Sequence, residues 1–375
     1  MIYLDNAATT GKKPSGVINA VNKALQRNSA NPGRSGHKLS DDTAVMVYNA
    51  RETVADFFSA QTENVIFTQN CTMSLNMAIK GNIKSGDHVI ISSYEHNAVL
   101  RPIYKLSSEG IEYDVANVIV GDKEATYRAF ERLIKSNTKM IVCTHASNVT
   151  GELMPIEMLA ELCKQKGIIF VVDAAQTAGV LPIALKDGMD YLCIASHKGL
   201  YAPMGTGILV CGRPVEKTVI EGGTGTFSNV YEQPTDMPER LESGTLNVPG
   251  IAGIKAGIDF VKEKTIDRIY RHEISLVQLL YDNLEKMSGI RLYMQRPEVN
   301  KTAPVLSFNV EGKNSMETAD YLSKNGIAVR AGLHCAVLAH KTIGTVDVGT
   351  VRVCTSVFNT KNDIFSFIDV LKRYK

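Results

Sequence analysis

The run GIIFVVDAAQTAGVLPIALKDGMDYLCIASHKGLYAPMGTGILVC, residues 167–211, decides the fold. Three short runs rich in Val, Ile and Leu stand in it, each closed by Asp, Ser, Gly or Pro. Uninterrupted apolar runs of this length predict strands covered on both faces. Working outward, VIFT (65–68), HVIIS (88–92) and KMIVCT (139–144) join GIIFVVDA (167–174), YLCIAS (191–196) and GILVC (207–211) as predicted strands. Between them MSLNMAIKGN (73–82), ATYRAFERLIKSN (125–137) and PIEMLAELCKQKG (155–167) read as helices, the last with Pro near its start and Gly after its end. Strands alternating with helices at this spacing predict an α/β fold with a mostly parallel central sheet.

Beyond residue 250 the pattern changes. The stretch GIAGIKAGIDFVKEKTIDRIYRHEISLVQLLYDNLEKM (250–287) reads as one long helical segment, followed by short strands in RLYMQ, VLSFNV, IAVRAG and TVRVCTS. This predicts a smaller α+β domain over 255–375, completed by residues 1–14, beside a larger domain over 15–254. The Gly-, Thr- and Pro-rich stretch 222–247 lacks periodicity and reads as a long functional loop.

Composition narrows the function. The 375 residues carry 41 Lys and Arg against 39 Asp and Glu, a formal net charge of +2, so no broad field invites nucleic acid or an anionic membrane. No apolar run reaches the length of a spanning helix, and MIYLDNAATTGKK lacks the plan of a signal peptide, which predicts a soluble cytoplasmic protein. The 7 cysteines contain no C-x-x-C pair, which argues against a disulfide framework or a zinc site. Most sit in apolar strand-like runs; Cys335, in RAGLHCAVLAH (330–340), does not.

Asp173 ends one predicted strand, with Gln176 just beyond, and Ser196, His197 and Lys198 end the next. Open α/β sheets place ligands at these strand ends. A lysine amine, a carboxylate and a glutamine converging there are the set that pyridoxal phosphate requires: an imine partner, an acid holding the pyridine nitrogen protonated, and a donor to the ring oxygen. The phosphate calls for amides at a helix start with hydroxyl and imidazole donors. FTQNCTMSLN (67–76) supplies a strand, a turn and a helix, with Cys71 and Thr72 at its start, and Ser196 and His197 add donors. His96, in YEHNAV (94–99), is placed to stack on the ring or to move protons. Neither GTGILV nor GGTGTFS has the spacing and context of a dinucleotide turn.

Taken in order, the chain resembles the class V aminotransferases of fold type I, and within them the cysteine desulfurases. The motifs are YLDNAATT (3–10), NPGRSGH (31–37), YEHNAV (94–99), THASNVTGELMPI (144–156), VVDAAQTAG (171–179), ASHKGLYAPMGTGIL (195–209), LESGTLNVPGIAG (241–253) and RAGLHCAVLAH (330–340). The resemblance implies that Lys198 carries the cofactor, Asp173 pairs with the pyridinium, Gln176 contacts the ring oxygen and His96 stacks. It further implies that Cys71 lies against the cofactor, that Thr72, Ser196 and His197 hold its phosphate, and that Thr245 reaches the phosphate of the other subunit in a homodimer. Arg352 matches the carboxylate-binding arginine, Asn148 its helper, and Arg330 lies near the nucleophile.

Cys335 matches the desulfurase nucleophile. The implied reaction converts L-cysteine to L-alanine and leaves a persulfide on Cys335 for a reductant or sulfur-acceptor protein; His334 is a candidate to favour the thiolate. The compact segment around Cys335 is like that of the second desulfurase group, with Leu333, Val337 and Leu338 departing from the usual choices. Alternatives are a selenocysteine lyase or other carbon–sulfur lyase, an aminotransferase that uses Lys198 without Cys335, and a non-catalytic sulfur carrier.

Overall fold

The computed structural model describes residues 1–33, 36–226 and 228–374. A seven-stranded sheet forms its centre, in the order Val65–Thr68, Gly207–Cys211, Tyr191–Ala195, Ile169–Asp173, Thr138–Thr144, His88–Ser92, Glu112–Ala116. All run parallel except Gly207–Cys211, which is antiparallel to both its neighbours. The predicted α/β class therefore holds.

Period-two side-chain alternation divides the apolar residues of each strand between two cores. Phe170 and Val172 enter one cluster with Ile141 and Leu159, while Val171 enters the other with Val142 and Leu75. Each such Val or Ile side chain contributes about 1.5–3 kcal/mol on burial. Covering both faces leaves the strand ends as the place where polar groups meet solvent.

A four-stranded antiparallel sheet, ordered Arg330–Gly332, Thr350–Cys354, Val305–Val310, Ile290–Leu292, packs its own core with Leu280, Phe367 and Ile368. Ile2–Tyr3 pairs in parallel with Ile327–Ala328, so the N-terminus joins this half of the molecule. The helix Val248–Lys264 runs through the expected division at 254/255. Among the described residues no helix is long and apolar enough to cross a membrane.

The segment 250–287 differs from its reading as one helix. Helices Val248–Lys264 and Ile266–Leu284 break at Thr265, whose φ of 66° and ψ of 136° leave the helical region and whose Oγ1 accepts the Arg268 N–H at 3.4 Å. The run IAVRAG likewise divides, Ile327–Ala328 pairing with the N-terminus and Arg330–Gly332 joining the four-stranded sheet. Glu112–Ala116 was not predicted, because an edge strand with an exposed first residue lacks an apolar run.

Candidate active site

Strands Ile169–Asp173 and Tyr191–Ala195 lie side by side and parallel, so both open at the same sheet edge. The Asp173 carboxyl is buried there. Its Oδ1 accepts the Ala175 N–H at 2.9 Å and the Cys71 thiol at 3.5 Å. Desolvation raises its pKa, while the Ala175 N–H, the Lys198 charge and the Cys71 thiol pull it back. Lys198 follows in the next turn, whose backbone closes through Tyr201 N–H to the Lys198 carbonyl at 2.9 Å. Burial lowers the amine's pKa against the opposing Asp173 charge, moving it toward its nucleophilic form.

The two turns touch through glycines. A Cβ on Gly199 would lie 2.4 Å from the Ala178 carbonyl oxygen, and one on Gly179, at φ +83°, would lie 2.3 Å from that of Gly199. Only residues without a side chain let the Asp173 and Lys198 turns approach this closely.

A cavity of about 200 Å³ opens between them. Every residue proposed from sequence lines it except Ser196, Cys335 and Thr245. Ser196 Oγ and His197 Nδ1 are buried beside Lys198 without a hydrogen-bond partner. Leaving such groups unpaired costs about 1–3 kcal/mol each; of the two, His197 lines the cavity and suits a polar guest there. Burial, with Lys198 and Lys13 adding, pushes His197 down to about 4, which keeps its imidazole neutral. The helix Cys71–Lys80 begins at the same end, capped by Asn70 onto the Met73 N–H at 2.9 Å, with Thr72 exposed in its first turn. An amine, a carboxylate, a helix start and two orphaned donors fit pyridoxal phosphate.

His96 caps the helix Asn97–Ser107, its Nδ1 accepting the Ala98 N–H at 3.0 Å, which leaves the ring proton on Nε2. Desolvation and the charges of Lys198, Arg330, Arg352 and Arg101 push it down to about 4, so the imidazole is neutral at pH 7. Gln176 Nε2 donates to the Ala7 carbonyl at 3.2 Å.

The opposite wall comes from the four-stranded sheet. Arg330 and Arg352 are directly paired across adjacent antiparallel strands. Arg352 is 1% exposed. Its Nη1 donates to the Asn148 carbonyl and its Nη2 to Asp5 Oδ1, both at 3.0 Å, while Nε is buried and unpartnered. Asn148 Nδ2 in turn donates to the His334 carbonyl at 2.8 Å, tying the arginine to the segment before the cysteine.

Cys335 alone among the cysteines is exposed. His334 and Cys335 take φ values of +49° and +57°, a left-handed pair of non-glycine residues that costs energy. The Cys335 carbonyl accepts the Asn97 N–H at 2.7 Å, and Arg330 Nη2 lies 3.7 Å from its Sγ. His334 does not serve the thiol as expected. Its Nε2 meets the Thr350 carbonyl at 3.0 Å, and burial among like charges pushes it down to about 2. The cation beside the sulfur is Arg330.

Thr245 is exposed and lines a separate cavity with Thr68, Gly205 and Asn247. The segment before it is anchored by a buried bidentate pair, Arg51 Nη1 and Nη2 to Glu242 Oε1 and Oε2 at 2.7 and 2.8 Å. Arg34 and Ser35 of NPGRSGH, and Phe227 in the 222–247 loop, lie outside the described residues.

Sequence reasoning missed the N-terminal segment as part of the site. Besides Asp5 and Ala7, the hydroxyls of Thr9 and Thr10 and the Lys13 amine all reach the His197 carbonyl, at 3.1, 3.1 and 3.0 Å. YLDNAATT marked the region, but nothing local to it signals a partner at residue 352.

Comparison with known proteins bears on the family and the fold. The aminotransferase class-V family model matches residues 2–367. A probable cysteine desulfurase of Pyrococcus abyssi is 34% identical over 99% of this chain and 94% of its own length. One from Methanothermobacter thermautotrophicus is 30% identical over 97% and 92%. The apo cysteine desulfurase of Thermococcus onnurineus superposes with a TM-score of 0.91 at 32% identity, covering 100% of this chain and 94% of that one. The Escherichia coli cysteine desulfurase CsdA gives a TM-score of 0.86 at 26% identity over 99% and 94%. With nearly its whole length matched, and with the strand-end lysine and acid in one cavity, the chain belongs to the aminotransferase class-V family.

Proposed function

We propose that the protein is a pyridoxal-phosphate-dependent cysteine desulfurase that converts L-cysteine to L-alanine and keeps the sulfur as a persulfide on Cys335. One observation carries this reading: an exposed cysteine stands 3.7 Å from a guanidinium whose neighbour across the ladder faces the Lys198 cavity. A transaminase has no use for a strained, cation-paired thiol at that rim.

The groups divide the work as follows. Lys198 would hold the cofactor and move the substrate's α-proton at Nζ; Asp173 would hold the ring nitrogen, and His96 and Gln176 the ring. Thr72, Ser196 and His197 would hold the phosphate, with Cys71 against Asp173, and Thr245 would serve the phosphate of the other subunit. Bound there, pyridoxal phosphate supplies an electron sink for the charge left on the substrate's α-carbon. Arg352 Nε and its remaining N–H groups receive the α-carboxylate, with Asn148 and Arg330 beside it. The Cys335 thiol gives up its proton and its sulfur attacks the substrate sulfur; an S–S bond forms, the Cβ–S bond breaks with its electron pair left on the three-carbon fragment, and two protons, one at Cβ and one at Cα, complete alanine.

The proposal extends to a cytoplasmic homodimer, a larger domain over 15–254 with a smaller one from 1–14 and 255–375, and an acceptor protein that removes the sulfur. Its test is incubation of the reconstituted protein with L-cysteine and a thiol reductant, without any keto acid. Equal amounts of alanine and sulfide support it. Alanine formed only when a keto acid is supplied makes the protein a transaminase, and turnover of L-selenocysteine alone makes it a selenocysteine lyase.

A further inference from the structure

Asp5 lies far outside the strand-end residues, yet it touches the deepest charge in the cavity. Its Oδ1 accepts Arg352 Nη2 at 3.0 Å, and the pair is one-sided in burial, 1% side-chain exposure for the arginine against 21% for the aspartate. Asp5 is held rigidly from behind. Leu4 N–H donates to the Ala328 carbonyl and Cys354 N–H to the Leu4 carbonyl, each at 2.8 Å, and Asn6 Nδ2 donates to the Cys354 carbonyl at 2.9 Å. The carboxylate is thus fixed to the same strand that bears Arg352.

A buried guanidinium with a single carbonyl partner would be free to rotate about its last torsions and to fold back on its own strand. Here Asn148 takes Nη1, Asp5 takes Nη2, and the unpartnered Nε is left buried at the cavity wall. We infer that Asp5 is a positioning residue that fixes the Arg352 fork so that its Nε edge is presented to the α-carboxylate of an amino-acid substrate. This rests on the reading of Arg352 as the carboxylate site. It also adds something the reading lacks: selectivity for α-carboxylates is set partly by the N-terminal segment, which reaches the Lys198 turn as well through Thr9, Thr10 and Lys13 at the His197 carbonyl.

The test compares wild type, Asp5→Asn and Asp5→Ala as cofactor-loaded proteins. Asp5→Asn keeps the size and one acceptor oxygen and so guards against a folding defect. Calorimetric affinity for L-alanine and KM for L-cysteine are read against kcat and against the affinity for cysteamine, which lacks a carboxylate. The expected result is at least a tenfold weakening of L-alanine and rise in KM for Asp5→Ala, an intermediate effect for Asp5→Asn, and cysteamine affinity and cofactor absorbance within about twofold of wild type. Equal weakening of L-alanine and cysteamine, or a loss confined to kcat, gives Asp5 a general structural role and overturns the inference. Wild-type affinity in both variants also overturns it. If wild type itself neither binds L-alanine nor turns over L-cysteine, the proposed function fails first, and the inference with it.

Discussion

Arg330 Nη2 lies 3.7 Å from Cys335 Sγ. The contact joins the last strand pair of the small sheet to the turn that carries the thiol, so the cation arrives on a rigid element while the thiol sits on a strained one. The guanidinium donates toward the sulfur along this contact and holds it in place. Arg330→Gln should therefore lower sulfide release from L-cysteine by about tenfold, the scale of losing one hydrogen bond to a charged group, with cofactor absorbance unchanged. Sulfide release at the wild-type rate would remove Arg330 from the placement of the thiol.

Lys198→Ala should abolish the visible absorbance acquired on reconstitution, because among the described residues no second lysine lines the cavity. Sulfide release should fall by at least about a thousandfold. Absorbance equal to wild type, read by spectrophotometry after desalting, would place the covalent link elsewhere.

Glu273 gives a stability prediction with a defined sign. It is buried, its Oε1 accepts the Tyr201 hydroxyl at 3.4 Å, and desolvation pushes its carboxyl from an ordinary 4.5 up to about 8. The folded state therefore holds a proton that the unfolded chain has released. Its stabilisation is full below pH 4.5 and is lost as the pH rises to about 8. Glu273→Gln keeps the acceptor and removes the titration. Thermal melting at pH 5 and pH 8 should show a smaller fall for the variant than for wild type, and parallel falls would contradict the assignment.

The buried Arg51–Glu242 pair ties the segment before Thr245 to the first sheet strand, since Glu242 Oε1 also accepts the Phe67 N–H at 2.7 Å. Removing one partner strands the other charge, so Glu242→Ala should destabilise the fold by about 3–5 kcal/mol, measured by urea unfolding. A change below about 1 kcal/mol would mean that water reaches Arg51 and replaces the lost partner.

The sequence carried the interior well and the periphery poorly, for physical reasons visible in particular residues. HVIIS and GILVC are covered on both faces, so their apolar runs coincide with the observed strands His88–Ser92 and Gly207–Cys211. Edge strand Glu112–Ala116 has solvent on one side and no such run. The break at Thr265 turns on a single residue in an otherwise helical pattern. In the candidate site, Asp173 and Lys198 were readable because strand ends locate them. The Asp5–Arg352 contact was not, because it is made by packing between segments at opposite ends of the chain. For His334, adjacency to Cys335 established no contact, and its ring meets Thr350 instead, on a backbone that is left-handed at both residues.

Transfer of sulfur from L-cysteine to Cys335 at the rim of the Lys198 cavity is read by peptide mass spectrometry of the reconstituted protein, exposed to L-cysteine without reductant and quenched by alkylation. The expected result is one added sulfur atom on the peptide bearing Cys335, and neither that sulfur nor sulfide release when Cys335 is replaced by Ala. Alanine and sulfide accumulating at the wild-type rate with Cys335 unmodified or absent would contradict it.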